Sequence, residues 1–202
     1  IYDPVLERRQ QAERELWRHY PEPVTVDSWA KALAIHCDAV LICAPNHTHV
    51  PLALDALKAG HAVFVEKPIA DDLADARRLV DYARIRGSLL VVGHSMRFDP
   101  GITRLKELVG QGSIGRVLAI HIQAGHYLPQ WRPGQDYRQT YSAHKDQGGG
   151  VLLDYIHDLD YLRWLGGEVS EVFCSMDRLS DLETDTLTPP ATRSTGRRWR
   201  AW

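Results

Sequence analysis

The chain has 202 residues, 44% of them apolar, which is enough for one large domain or two small ones with a buried core and excludes disorder as the overall description. Lys and Arg (24) nearly balance Asp and Glu (26), and a net charge of -2 offers no basic field, so no nucleic-acid partner is expected. No apolar run approaches the roughly eighteen residues of a membrane span, and the opening IYDPVLERRQ is unlike a signal peptide, so a soluble, cytoplasmic protein without a membrane partner is expected.

In chain order, residues 1–3 read as the last step of a strand and 4–19 as a charged amphipathic helix with Pro4 in its first turn. The strand that should feed Pro4 is not in the sequence. DAVLIC (38–43) is an apolar run of strand length, suited to a strand covered on both faces. A helix follows over 48–60, closing on Gly60, then a strand over 61–68 that Pro68 stops. Acids in the first turn, bases near the end and Gly87 just beyond mark a helix over 71–86, and SLLVVGH (88–94) is another strand. This alternation is the pattern of βαβ units in a parallel sheet.

The pattern then changes. A helix over 100–109 leads to a long strand over 116–124, a polar and aromatic loop over 127–147, three glycines (148–150), one helix running to Gly166 and Gly167, and a strand over 168–176. A second α+β domain therefore begins near residue 99, giving domains 1–98 and 99–188, with a disordered basic tail over 189–202. Gly110, Gly112 and Gly115 spell GxGxxG, but in the order helix, glycines, strand, which is a helix end and turn and not a dinucleotide fingerprint. Cys37, Cys43 and Cys174 are odd in number, without CxxC spacing, and read as reduced core residues.

Ligands of open parallel sheets bind beyond the carboxyl ends of the strands. Three consecutive strand ends here are polar: Ala44, Pro45, Asn46, His47, Thr48 and His49 after the first, Glu66 and Lys67 after the second, His94 and Arg97 after the third. Asn46 and Thr48 could equally cap the helix that follows. On the helix after the glycines, offsets of three and four bring Asp154, His157, Asp158 and Tyr161 to one side, so that a carboxylate could fix the imidazole's tautomer and raise its basicity. The glycines before it would let backbone approach a ligand closely.

The segments DAVLICAPNHTHVPLALDALKAGHAVFVEKPIA, VVGHSMRFDPGITRLKELVGQGSIGRV and GGGVLLDYIHDLDYL together resemble the Gfo/Idh/MocA family of NAD(P)-dependent oxidoreductases acting on sugars, cyclitols and related polyols. The resemblance spans residues 1 to about 185. It implies an α/β fold class: an incomplete Rossmann-type doubly wound parallel sheet, then a partial α+β substrate and oligomerisation domain whose sheet would make a homo-oligomer. It implies Lys67, His157 and Asp154 as catalytic residues, with His157 taking the hydroxyl proton and Lys67 stabilising the alkoxide. It implies a cofactor edge of Asp3, Ala44, Pro45, Asn46, His47, His49, Glu66, Lys67 and Arg97, with Asp3 on the adenosine ribose favouring NAD over NADP, and a bond to Pro68 that is often cis in relatives. Tyr127, Trp131, Arg132, Asp154 and His157 would shape the substrate pocket, and the aromatic and basic side chains suggest a sugar bearing a carboxylate or phosphate.

Two residues, not three, separate Asp154 from His157, unlike many relatives. The family's first strand, glycine loop and first helix are absent, and the tail matches nothing in it, so the sequence reads as an internal fragment that lacks part of the cofactor cradle and could be inactive. Beside an NAD(P)-dependent oxidoreductase stand two other readings, a non-catalytic binding or oligomerisation module and a metal hydrolase built on His47, His49, His94 and His157.

Overall fold

The computed structural model describes residues 1–20, 22–176 and 180–186, so the expected tail over 189–202 lies outside the described residues. Helix α1 (Leu6–Leu16) starts later than Pro4 suggests. Residues 1–3 form no full strand, making a single parallel bridge between Tyr2 and Val26. The short helix α2 (Trp29–Leu33), capped by the Ser28 hydroxyl on the Lys31 amide, carries no sequence signal of its own beyond that serine.

The centre is a parallel sheet in the order β1 (Ala39–Ile42), β2 (Ala62–Val65), β3 (Leu90–Val92). The register pairs Ala39 with Ala62 and Val63 with Leu90. Between the strands run α3 (His49–Lys58) and α4 (Leu73–Arg86). Helix α4 has the ends its sequence announces: the Asp72 carboxylate accepts the Asp75 N–H at 3.0 Å, and Gly87 closes it in the left-handed region at φ 62°.

One face of the sheet is packed. Ile42, Val63 and Val65 meet Val50, Leu54 and Leu57 of α3 and Leu79 of α4 in one continuous core. The other face is not: Leu41 is 69% exposed, so the expectation that 38–43 is covered on both sides fails, its side chains alternating as they do in a half-buried strand. The same alternation puts Cys43 on the exposed side, and Cys174 is exposed as well; the cysteines are free, but these two are not core residues.

Beyond the sheet, α5 (Pro100–Gly110) is capped by the Asp99 carboxylate on the Gly101 and Ile102 amides. The glycines of GQGSIG then turn the chain, Gly112 and Gly115 lying at φ 71° and 68°. Neither 116–124 nor 168–176 forms a strand of a described sheet. A strand exists only through its hydrogen-bonded neighbour, and among the described residues these segments show one bridge residue, Val169, and no ladder. The loop over 127–147 is more ordered than its composition suggests, with a short helix α6 (Leu128–Trp131) and three 3-10 turns. The helix expected after the glycines is two: α7 (Val151–Asp154) and α8 (Ile156–Gly166), divided at Tyr155 by φ -95°, ψ 24°.

Leu79 is fully buried where α4 meets the sheet. Truncating it to Ala should cost about 2–5 kcal/mol, read as a lower denaturant midpoint with an unchanged slope.

Candidate active site

Three strand ends open on the same side of the sheet, as parallel strands require. After β1, Asn46 is buried and its amide donates to the Gly148 carbonyl at 2.7 Å, while exposed His47 lies 3.4 Å from the Gln147 carbonyl. Thr48 turns its hydroxyl back to the Pro45 carbonyl at 2.7 Å, so neither Asn46 nor Thr48 caps α3. After β2, the Glu66 carboxylate accepts the Lys67 N–H at 3.2 Å and lies against Gly93, where a Cβ would come within 3.1 Å of it. The Lys67–Pro68 bond is cis. Asp3 sits at the head of α1, one carboxylate oxygen accepting the Val5 N–H at 2.8 Å.

Lys67 and the later helices meet. Its ammonium donates to the backbone carbonyl of Asp154 at 2.7 Å across 87 residues of sequence. That carbonyl is free because the helix breaks at Tyr155. In a continuous helix the Asp158 N–H would take it, but here that N–H donates to the Tyr155 carbonyl at 3.0 Å. His157 stands one turn on, half-buried, close enough to Lys67 for the ammonium to oppose its protonation. Desolvation first, then Lys67 and His94, push the His157 imidazole below its ordinary value, so it is neutral at neutral pH.

The break separates the expected acid and base. Asp154 and His157 do not form a carboxylate–imidazole pair: the Asp154 carboxylate is buried against the Tyr141 and Ser142 hydroxyls, and His157 Nδ1 is buried with no hydrogen-bond partner among the described residues. Burial pushes the Asp154 carboxyl up, against the pull of Tyr141 and of Lys67. Asp158 and Tyr161 of the expected cluster do meet, Asp158 accepting the Tyr161 hydroxyl, whose own titration is pushed up to about 12 by desolvation and that bond.

Two of the expected cofactor ligands are otherwise engaged. His49 is fully buried, with Nδ1 2.7 Å from the Pro68 carbonyl and Nε2 2.8 Å from the Ala44 carbonyl; both nitrogens fasten backbone together and neither can reach a ligand. Arg97 grips Asp160 through two bonds of 2.7 Å and lies over the Trp164 ring, so its guanidinium joins the end of β3 to α8. Pro45 is exposed at the rim, and Ala44 is half-buried. The four histidines of the metal reading do not gather. The His/Asp group with ligand atoms close enough to share an ion among the described residues, His144, Asp146 and Asp185, includes none of them.

The substrate-side residues partly converge. A cavity of about 230 Å³ is lined by Tyr127, Trp131 and Asp154 together with His126 and Tyr155. Trp131 stacks with both His126 and Tyr155, and His126 Nδ1 is hydrogen-bonded to the Tyr155 hydroxyl at 2.7 Å. Arg132 lies over the Trp131 and Tyr141 rings. Tyr141 and Ser142 were not legible as site residues, since a loop of 3-10 turns has no period from which to read a face; Tyr155 was hidden because the break between α7 and α8 leaves no mark in the periodicity.

Gly148 and Gly149 are closely packed. A Cβ at Gly148 would fall 2.7 Å from that of Asn46, and one at Gly149 would fall 2.1 Å from the Tyr141 carbonyl oxygen. Gly149→Ala should therefore destabilise the chain by at least about 1–3 kcal/mol, whereas Gly110→Ala, with open space around it, should not; thermal unfolding of the two variants checks this. The Asp160 carboxyl is held below its ordinary range by Arg97. A depressed carboxylate stabilises the fold above the unfolded value and loses that contribution as pH falls through the folded one. Asp160→Asn should accordingly flatten the loss of stability between about pH 4 and lower values, seen in denaturant midpoints across that range.

The comparisons agree with this geometry. Residues 1–94 match the family model described as "Oxidoreductase family, NAD-binding Rossmann fold", and residues 102–188 match the GFO/IDH/MocA C-terminal domain. The chain is 36% identical over 148 residues to myo-inositol 2-dehydrogenase of Thermotoga maritima, covering 72% of this chain and 41% of that protein. It is 30% identical to 2,7-anhydro-N-acetylneuraminate hydratase of Escherichia coli, covering 85% and 43%. The chain thus spans about two fifths of the length of these relatives. The WlbA dehydrogenase of Bordetella pertussis, solved with NADH and UDP-GlcNAcA, shares the fold with a TM-score of 0.76 at 24% identity, over 90% of this chain and 51% of that one. With both of its halves matched, the chain belongs to the Gfo/Idh/MocA family of oxidoreductases.

Proposed function

We propose that this protein transfers a hydride between a nicotinamide cofactor and a hydroxyl-bearing carbon of a sugar, cyclitol or related polyol. The observation that carries this is the convergence of the Lys67 ammonium, seated on the Asp154 carbonyl, with the neutral imidazole of His157, whose Nδ1 has no hydrogen-bond partner among the described residues, beyond the ends of β2 and β3.

The residues present fit the nicotinamide end of such a cofactor. Asn46, His47, Glu66 and Lys67 border one rim on adjacent strand ends, where dinucleotides lie in open parallel sheets, and Asp3 would take a ribose, in keeping with NAD. A pyrophosphate seat is not among the described residues, since the glycines of GQGSIG follow a helix instead of opening one. When bound, the nicotinamide supplies the hydride acceptor or donor. The imidazole of His157 takes the hydroxyl proton. Lys67 donates a second N–H to the same oxygen and stabilises charge developing there, one of its three donors being committed to Asp154. The Asp154 carboxyl and the stacked Trp131 and Tyr155 hold the rest of the polyol in the cavity beside them.

Titrating NADH fluorescence with this chain, then following nicotinamide reduction with a panel of cyclitols and sugars, tests the reading. Saturable binding with turnover is expected, and no fluorescence change overturns it. His157→Asn should cut turnover by about 10²–10⁴-fold while leaving NADH affinity unchanged. Because the imidazole is depressed, the oxidising direction should gain rate as pH rises through a window below 6.5.

A further inference from the structure

The imidazole of His157 has a neighbour that the mechanism above does not use. His94, at the end of β3, places its ring 6.1 Å from that of His157, centroid to centroid, at 79°, edge against face. Behind it is Asp160, whose carboxylate lies 3.7 Å from His94 Nδ1 and is only 12% exposed. Arg97 holds that carboxylate in a fixed plane with two bonds of 2.7 Å, and the Trp164 ring backs the guanidinium. The Nδ1 atoms of both histidines are buried, and neither has a hydrogen-bond partner among the described residues. Two imidazoles so placed, with a clamped carboxylate on one side and an ammonium on the other, cannot take up protons independently.

We infer that His94 is a positioning residue for His157, holding the later imidazole edge-on and coupling its proton uptake to the ion pair of Asp160 and Arg97. The groups facing the pair come from every element around it. Lys67 and Glu66 stand at the end of β2, Arg97 on the turn after β3, and Asp158 and Asp160 on α8. A proton arriving on His157 places a positive charge against His94, and the site tolerates it through Asp160. Desolvation pushes the His94 imidazole down as it does that of His157, so at neutral pH the pair starts neutral.

This inference rests on the reading of His157 as the base, and its test needs no turnover. The imidazole resonances of the chain, followed by NMR across pH, should show a His157 curve that departs from a single simple step. In His94→Phe and in His94→Gln the curve should become a single step with its midpoint raised by about one pH unit, the order expected when a like charge roughly 6 Å away is removed from a half-exposed site. A His157 curve unchanged in both variants overturns the inference. So does a change in His94→Phe alone, which would mark a packing effect, since Gln removes the charge with a smaller change of volume. NADH titration of the same variants separates the two ideas: lost coupling with intact binding sinks only this inference, and intact coupling without NADH binding sinks the oxidoreductase reading.

Discussion

The site depends on one hydrogen bond, from the Lys67 ammonium to the backbone carbonyl of Asp154. It joins the end of β2 to the break between α7 and α8, and both sides must be unusual for it to form. The lysine stands at a strand end instead of within the sheet. The carbonyl is available because the chain at Tyr155 leaves the helical region and the next N–H in line is satisfied one residue later. A regular helix over the same residues would have consumed that acceptor and left a half-buried ammonium without it.

The approach of the two halves is supported at several points, all at strand ends. Asn46 takes the Gly148 carbonyl, and Arg97 takes Asp160. His49 seals the β1 and β2 ends to each other beneath them. Gly148 lets the Asn46 and Asp71 side chains of the other half come close where a Cβ would collide, while Gly149 lies against the backbone of Tyr141 and His144 within its own half. The polar strand ends therefore divide their labour. His49 and Arg97 are spent on fastening, and Lys67 commits one of its donors to the Asp154 carbonyl.

The electrostatics follow from that arrangement. Lys67 is the fixed cation of the site, and it disfavours a second cation on His157 or His94 while favouring the ionised form of Asp154. Burial acts in the same direction on the two imidazoles and in the opposite direction on the carboxyl. The result is a positive anchor beside two neutral rings, which suits a group that must surrender a proton.

The sequence by itself determined the parallel βαβ core, because runs of β-branched residues separated by capped amphipathic stretches leave little choice of period or connection; Asp72, Gly87 and Asp99 stand at the helix ends where their chemistry puts them. It also placed Lys67 and His157 as the residues to watch. Only the tertiary structure decided which neighbours they have. Helical spacing put Asp154 beside His157, but a single residue of non-helical backbone at Tyr155 turned the carboxylate to Tyr141 and Ser142 and gave the carbonyl to Lys67. Likewise His49 and Arg97 carry the right chemistry at the right edge, and their partners, distant in sequence or on the backbone, consumed it. Periodicity reports which side of an element a residue occupies within that element; where backbone breaks and which long-range acceptor is free are settled only when the whole chain has packed.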